Sequence, residues 1–127
     1  MLKKILIAAA LIGTLGLPLH AQETQADAEK YATQATQYYQ QGNYAQALEF
    51  YNKALAIRLK VLGENHPDTA ASHYSIGVLL YRSGKKTEAR DHLRKAAAIA
   101  RKTLGPDHPT TRQISAVLQF VENELSK

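Results

Sequence analysis

The histidines are the first residues to consider for catalysis or metal binding, because the chain has no cysteine. His66 recurs as His108, and a proline follows each of them. A histidine that recurs together with its neighbour in this way indicates a structural position in a loop or at a helix N-terminus. An enzyme would need a nucleophile with a base, a metal cluster or paired carboxylates, and the sequence shows no such set. We therefore expect no catalytic residue, no metal and no cofactor.

A run of basic residues is the second chemical feature of the sequence. It holds eight cations, opposed only by Glu88 and Asp91: Arg82, Lys85, Lys86, Arg90, Arg94, Lys95, Arg101 and Lys102. Either this run attracts an acidic protein, an anionic lipid or a cell-wall polymer, or it is the solvated outer face of a helix. The candidate residues of such a basic face are Lys86, Arg90, Arg94 and Arg101. Nucleic acid is not expected as a partner, because no recognised reading motif is present.

The first 21 residues have the order of a secretory signal peptide. Lys3 and Lys4 precede an apolar run, Ile5 to Leu17, and Ala21 offers a small residue for cleavage. The apolar run is shorter than the roughly 20 residues that a membrane-spanning helix needs. We expect residues 1–21 to be removed and the protein to enter a bacterial periplasm or to be secreted. The alternative is an uncleaved membrane anchor, and no other membrane association is expected.

Residues 22–127 are predicted to form one small domain. Without Lys3 and Lys4, the formal net charge of the chain falls from +5 to +3. Because an exported chain without cysteine forms no disulfides, its stability must come from the packing of its helices. The absence of a lipobox cysteine also excludes a lipid anchor.

The elements that position these residues repeat once along the chain. Residues 42–67 share their skeleton with residues 84–109, and the shared residues include Gly42/Gly84, Ala47/Ala89, Lys53/Lys95, Ala54/Ala96, Ile57/Ile99, Leu62/Leu104, Gly63/Gly105, His66/His108 and Pro67/Pro109. Self-similarity at one fixed period is typical of stacked helical repeats. We therefore predict an all-α fold, with repeat 1 at about residues 24–63, repeat 2 at about 66–105 and a capping helix at about 109–126.

Local signals define the ends of the predicted helices. Thr24 with Asp27 resembles a capping box, so the first helix should begin there. The second helix, residues 44–62, carries an apolar stripe made of Tyr44, Ala47, Leu48, Tyr51, Ala54, Leu55, Leu59 and Leu62. Gly63 falls where a C-terminal cap needs a positive φ, and Pro67 suits the first turn of the next helix. Both signals recur one period later.

The last three helices are predicted from the same spacing. The third buries Ala70, His73 or Tyr74, Ile76, Gly77 and Leu80, and the alanine-rich fourth buries Ala89, Leu93, Ala96, Ala97 and Ala100. The fifth carries Ile114, Val117, Leu118, Val121 and Leu125 at helical spacing. Because no sixth helix follows in the sequence, the fifth helix is expected to shield the open end of the stack.

The skeleton of each predicted helix pair resembles the tetratricopeptide repeat. Its residues are Tyr31, Ala35, Tyr38, Gly42, Tyr44, Ala47, Tyr51 and Ala54 in repeat 1, and His73, Gly77, Leu80, Gly84, Lys86, Ala89, Leu93 and Ala96 in repeat 2. The usual period is about 34 residues, and the longer period of 42 here is similar to that of kinesin-light-chain repeats. The resemblance implies a short right-handed α-solenoid that binds a peptide or protein partner in a concave groove.

Two binding chemistries of the family are missing from this sequence. Kinesin-light-chain repeats carry paired asparagines on the groove face of the first helix, and the matching positions here are Ala32-Thr33 and Tyr74-Ser75. The lysine and asparagine clamp of chaperone-adaptor repeats, which holds a terminal carboxylate, is absent too. The resemblance therefore implies peptide binding without indicating how the peptide is held.

The remaining histidines are assigned from the repeat pattern. His73 fills the place of a core aromatic residue in repeat 2, so we expect it to be packed. His92 lies on the fourth helix beside Asp91 and Arg94, and we expect it to be solvated.

The resemblance also places a group of residues on the groove side of the first helices: Tyr39, Tyr74, Tyr81, Gln40 and Arg82. Tyrosines suit peptide recognition, because they bury area while the hydroxyl keeps one hydrogen bond. Alternatively, Tyr39 and Tyr74 only seal the packing between neighbouring helices.

These observations predict an exported interaction module that binds a peptide or protein in its groove. The alternative is an accessory subunit, which either stacks on the helices of a partner or places its basic face on an anionic envelope surface. No feature of the sequence specifies the partner or the oligomeric state.

Overall fold

The structure, a computed structural model, describes residues 22–127, and the predicted signal segment at residues 1–21 lies outside the described residues. Residues 22–127 contain helices and no strand: α1 (Gln25–Gln40), α2 (Tyr44–Val61), α3 (Pro67–Arg82), α4 (Lys86–Thr103) and α5 (Pro109–Leu125). The predicted all-α fold is confirmed. None of these helices is long and apolar enough to cross a membrane.

The helices are stacked in chain order. Each helix packs against the next one along the chain, and the most extensive contacts are those of α1 with α2 and of α3 with α4. Helices that are joined by short turns and pack as neighbouring pairs form a solenoid, in which every unit depends on the next for its buried surface. The two predicted repeats therefore correspond to the pairs α1–α2 and α3–α4.

The helix ends form as the local signals predict. Thr24 and Asp27 make a capping box in which the Thr24 backbone N–H donates to Asp27 Oδ2 over 2.8 Å. This N–H is the main cause that lowers the pKa of Asp27. After α2 and α4, Gly63 and Gly105 have φ of +88° and +94°, a backbone conformation that favours glycine.

The recurring histidines are helix N-caps. His66 Nδ1 accepts a hydrogen bond from the Asp68 N–H over 3.0 Å at the start of α3, and His108 Nδ1 accepts one from the Thr110 N–H over 3.1 Å at the start of α5. A ring nitrogen here takes the part of the side-chain oxygen that usually caps a helix. Each proline then occupies the first turn, where its missing N–H leaves no bond unmade.

The core joins α2, α3, α4 and α5 through residues that the helical spacing largely predicts. Its main cluster consists of Leu55, Ile76, Leu80, Ala89, Leu93 and Val121. Small residues on α4 let the neighbouring helices approach closely, and all five predicted inner residues of α4 are buried: Ala89, Leu93, Ala96, Ala97 and Ala100. On α5, Ile114 and Val121 are buried, whereas Val117, Leu118 and Leu125 are half-buried.

The apolar stripe of α2 differs from the prediction at its C-terminal end. Leu59 is 37% exposed, whereas Ile57 and Arg58 are buried. Ile57 packs with Ala28 of α1, and Arg58 donates a hydrogen bond to Ser72 of α3. Successive residues of an α-helix are rotated by about 100° about its axis. Because Ile57 and Arg58 face the neighbouring helices, the next residue, Leu59, turns toward solvent.

Both ends of the stack present polar surfaces. Three residues on α1 are exposed: Lys30, Gln34 and Gln37. Their equivalents on α3, one period later, are buried: Ser72, Ile76 and Leu79. Three residues on α5 are polar and exposed or half-buried: Ser115, Gln119 and Glu122. Their equivalents on α3 are buried: His73, Gly77 and Leu80. The outer surfaces of α1 and α5 are thus unsuited to burying a further helix.

Candidate functional site

A cleft of about 270 Å³ lies between the first helices of the two pairs. We call it the tyrosine cleft, and it is lined by Thr36, Tyr39, Gln40, Tyr51, Tyr74, Ser75 and Val78. Helical spacing explains the set, because residues three and four apart share one face of α1 and of α3. The cleft brings together three of the five predicted groove residues, namely Tyr39, Gln40 and Tyr74.

Hydrogen bonds hold two of the tyrosines of the cleft, Tyr51 and Tyr74, in place. The hydroxyl groups of Tyr51 and Thr36 lie 3.0 Å apart and form a hydrogen bond between α2 and α1. Gln113 Nε2 of α5 donates to the Tyr74 hydroxyl over 3.2 Å. Tyr74 also packs against the main core cluster. It therefore both seals the contact between helices and contributes to the wall of the cleft.

Tyr39 lies at the rim of the cleft between an aromatic ring and a cation. Its ring centroid is 5.5 Å from that of Tyr44 and 5.9 Å from the guanidinium carbon of Arg82. A cation at this distance from a ring face is attracted by the negative face of the ring. Arg82 itself is exposed. It thus places a positive charge beside the rim without lining the cleft.

Tyr81 lies outside the tyrosine cleft, toward α5. Its ring packs edge to face on Phe120 with centroids 5.5 Å apart, and Lys86 Nζ lies 5.9 Å from its centroid. Tyr39 and Tyr81 are equivalent residues one period apart. The structure nevertheless places Tyr39 in the cleft between α1 and α3, and Tyr81 against Phe120 of α5.

The sequence analysis did not propose several residues of this surface as groove residues, namely Thr36, Tyr51, Val78 and Phe120, and it named Ser75 only as a groove-face position that lacks the asparagine of the family. Thr36, Val78 and Phe120 occupy one position of the repeat, each one period after the last. The same period that relates Tyr39 to Tyr81 would have found them. Phe120 is 52% exposed, so it adds an apolar contact beside Tyr81.

The predicted basic face is partly neutralised by α5. Arg94 donates from Nε and Nη2 to Glu122 Oε2 over 3.1 and 2.8 Å, and Lys86 Nζ lies 3.3 Å from Glu124 Oε2. Hydrogen bonds from Lys127 and then from Lys86 lower the pKa of Glu124. The expectation that only two acidic residues of α4 oppose the basic run is therefore wrong. The further carboxylates are those of Glu122 and Glu124 on α5. They lie too far along the chain from the basic run for a local sequence pattern to indicate the pairing.

The other two predicted basic-face residues differ in their surroundings. Arg90 is half-buried and pairs with the neighbouring Asp91 over 3.5 Å. Arg101 is exposed, and among residues 22–127 it forms no ion pair.

His73 of α3 and His92 of α4 form a pair between these two helices. His73 is packed as predicted and is 6% exposed, and its Nδ1 lies 3.0 Å from His92 Nδ1. The expectation that His92 is solvated is wrong, because it lies one helical turn after the buried Ala89 and faces α3. Burial, His92 and Lys95 lower the pKa of His73 to about 4. Burial and Lys95 also lower the pKa of His92.

In the part of the chain that the structure describes, no three or more His, Cys, Asp or Glu residues come together in a group that could hold a metal ion. Among known protein families, a model described as "Tetratricopeptide repeat" matches residues 27–102, which is more than half of the 127 residues. No curated protein matches the chain. The match runs from the first turn of α1 to the last turn of α4, and it does not distinguish the kinesin-light-chain type, which stays a prediction.

Proposed function

Because the chain belongs to the tetratricopeptide repeat family, whose repeats are protein-interaction modules, we propose that it binds an extended segment of a protein partner in the tyrosine cleft. The observation that carries this proposal is the meeting of Tyr39, Gln40 and Tyr74 in one open cleft between α1 and α3. Aromatic residues with polar tips are the side chains that most often anchor protein partners. No enzymatic reaction is part of the proposal.

The size of the cleft favours a peptide over a small molecule. Pockets that enclose a drug-sized ligand have volumes of roughly 300–1,000 Å³, and the tyrosine cleft has about 270 Å³. That volume accommodates one or two side chains of a chain that continues along the surface. We propose an apolar anchor residue in the cleft, whose backbone is met by the polar atoms of Gln40, Ser75 and Thr36.

The charge beside the rim specifies a further feature of the partner. Arg82 is exposed and lies over the ring of Tyr39. An acidic group on the bound segment, next to the apolar anchor, would pair with this guanidinium. Such a pair at an exposed rim contributes more to the association rate and to salt dependence than to affinity.

We propose in addition that the protein is exported to a bacterial periplasm or secreted, which rests on the signal-like order of residues 1–21. Mass spectrometry of protein expressed with its full chain tests this proposal. We expect a mature N-terminus at Gln22. Recovery of intact Met1 in the membrane fraction would instead show an uncleaved anchor.

The alternative functions have less support from the surface. A subunit that stacks on the helices of a partner would need apolar residues at the positions of α1 or α5 that would meet a further helix, and those positions are polar on both helices. A module that binds an anionic envelope surface would need a free basic face, and Arg94 and Lys86 are engaged by Glu122 and Glu124. The basic-face alternative is an outcome of the experiment below.

The test begins with affinity capture of partners from the native envelope and their identification by mass spectrometry. The binding of the recovered partner is then measured for Tyr39→Ala, Arg82→Glu and Arg101→Glu, each first shown to be folded by circular dichroism. We expect Tyr39→Ala to weaken binding by more than about 1 kcal/mol, which is at least fivefold. Arg82→Glu should slow association and reduce its dependence on salt.

Arg101→Glu is the matched control, because Arg101 is an exposed cation of α4 outside the cleft. We expect it to bind as tightly as the parent. If Arg101→Glu abolishes binding while Tyr39→Ala binds like the parent, the basic face carries the function and the cleft does not. Tyr81→Ala adds a second distinction. A loss of affinity in this variant would show that the binding surface reaches beyond the tyrosine cleft to Tyr81 and Phe120.

A further inference from the structure

A pair of histidines in the second repeat occupies the place of an aromatic pair in the first. His73 and His92 follow Tyr31 and Phe50 by one repeat period each. The ring centroids of Tyr31 and Phe50 are 5.9 Å apart with planes tilted by 37°, and those of His73 and His92 are 5.2 Å apart with planes tilted by 38°. The same helix contact is therefore apolar in one repeat and titratable in the other.

The geometry of the histidine pair is that of a hydrogen bond between two rings. The Nδ1 atoms lie 3.0 Å apart, and the centroids are farther apart by about two ring radii, so the rings meet nearly end to end. One Nδ1 must carry a proton and the other must offer its lone pair. The contact is thus complete only while at least one of the two imidazoles is neutral.

The charged groups around the pair come from two elements. Lys95 on α4 disfavours protonation of both rings, while Asp91 and Glu88 on the same helix favour protonation of His92. Glu64, in the connection before α3, lines a cleft together with His73 and Lys95. Lys53, the equivalent of Lys95 in the first repeat, lies 5.5 Å from the ring centroid of Tyr31 and 4.9 Å from that of Phe50. The same position of the repeat therefore holds a lysine in both repeats. In the first repeat Lys53 is attracted to the aromatic pair, and in the second Lys95 opposes protonation of the histidine pair.

We propose that the His73–His92 pair is a pH-sensitive latch, which holds α3 against α4 while at least one of the two rings is neutral and releases this contact when both rings are protonated. Adding the second proton turns the acceptor Nδ1 into a donor, so that two N–H groups and two positive charges face each other beside Lys95. Tyr74, Ser75 and Val78, which line the tyrosine cleft, also lie on α3. Opening of the latch should therefore release a bound partner, a consequence that rests on the proposed function.

The direction of the pH effect on stability follows from the lowered pKa. The pKa of His73 falls from 6.5 to about 4 in the folded protein, so the unfolded chain binds a proton more readily. The stabilising contribution is fully present above pH 6.5 and is lost as the pH falls toward about 4.

The experiment compares the protein with the double variant His73→Tyr/His92→Phe, which installs the residues of the first-repeat pair in the same place. The melting temperature of each is measured from pH 6.5 down to about 4. We expect the melting temperature of the parent to fall over this range and the double variant to lack that part of the fall. His108→Asn, which changes an exposed histidine outside the pair and keeps a residue that can cap α5, should keep the fall of the parent.

A second measurement keeps the proposal testable even where the double variant fails to fold. Imidazole signals followed by nuclear magnetic resonance in the parent should show His73 and His92 titrating below 6.5. The latch is refuted by ordinary titration of both rings or by an unchanged fall of the melting temperature in the folded double variant. A pH-dependent latch without any pH-dependent loss of the captured partner would refute the link between the latch and binding, whereas the placement of the partner in the tyrosine cleft is tested separately by Tyr39→Ala.

Discussion

Gly77 and Leu93 are in such close contact that a Cβ atom on Gly77 would lie 2.7 Å from Leu93 Cγ. Leu93 Cδ2 and the carbonyl oxygen of Ala89 would follow at 2.9 and 3.3 Å. Leu93 is fully buried in the main core cluster, so it has little room to move away. The missing side chain of Gly77 is therefore what sets the distance between α3 and α4.

We expect Gly77→Leu to destabilise the protein by about 1–3 kcal/mol, because it overfills a packed contact. Gly77→Ala should also destabilise, although alanine in a helix is favoured over glycine by up to about 1 kcal/mol. Urea unfolding measures both free energies. Ala71→Leu, at an exposed site of α3, should change the unfolding free energy by less than about 0.5 kcal/mol. Equal stability of Gly77→Leu and the parent would contradict the close packing.

Arg58 of α2 is held more by its hydrogen bond to Ser72 of α3 than by its ion pair with Glu29 of α1. It is 7% exposed, and its Nη1 donates to Ser72 Oγ over 2.8 Å, whereas Glu29 Oε1 lies 3.4 Å from Nη2. Since Ser72 is buried and Glu29 is exposed, we expect Ser72→Ala to destabilise by about 1–3 kcal/mol. Glu29→Gln should cost less than about 1 kcal/mol. The two unfolding free energies, measured in urea, should keep this order, and the reverse order would contradict it.

α5 stabilises the protein through a few buried residues, among them Ile114 and Val121. Val121 is fully buried in the main core cluster, so Val121→Asp places an unpaired charge in the core. We expect loss of cooperative melting in the C-terminal half of the protein, detected by circular dichroism. Val117→Asp and Leu118→Asp, at half-buried positions, should have smaller effects in the same direction. Asn123→Asp, which adds a charge at an exposed site of α5, is the control, and unchanged melting of Val121→Asp would show that α5 is not docked.

The cap formed by His66 can be separated from other roles of that residue. His66→Ala removes the acceptor of the Asp68 N–H, and loss of an N-cap costs about 0.5–2 kcal/mol. His66→Asn supplies a side-chain oxygen that caps as well as any residue, so we expect it to restore most of the stability. Thermal or urea unfolding compares the two variants. Equal destabilisation by alanine and asparagine would show that the imidazole acts in another way.

Much of the fold and part of the site could be predicted from the sequence. Thr24, Gly63 and Pro67 define helix ends by interactions that reach only a few residues along the chain. The repeat period then relates the two helix pairs, so that Tyr39 and Tyr74 could be placed on the groove side. Tyr81 shows the limit of this inference, because an equivalent position predicts the face of a helix and not the partner that covers it.

The sequence by itself determined the helices, their caps and the repeat, since spacing and residue type act locally. Only the tertiary structure decided that Arg58 is buried against Ser72, that His92 meets His73 and that Glu122 neutralises Arg94. These pairs join residues 14, 19 and 28 positions apart on different helices. A charged or titratable residue is predicted to lie on the surface until a partner from another helix satisfies its hydrogen bonds, and only the packing of the helices supplies that partner.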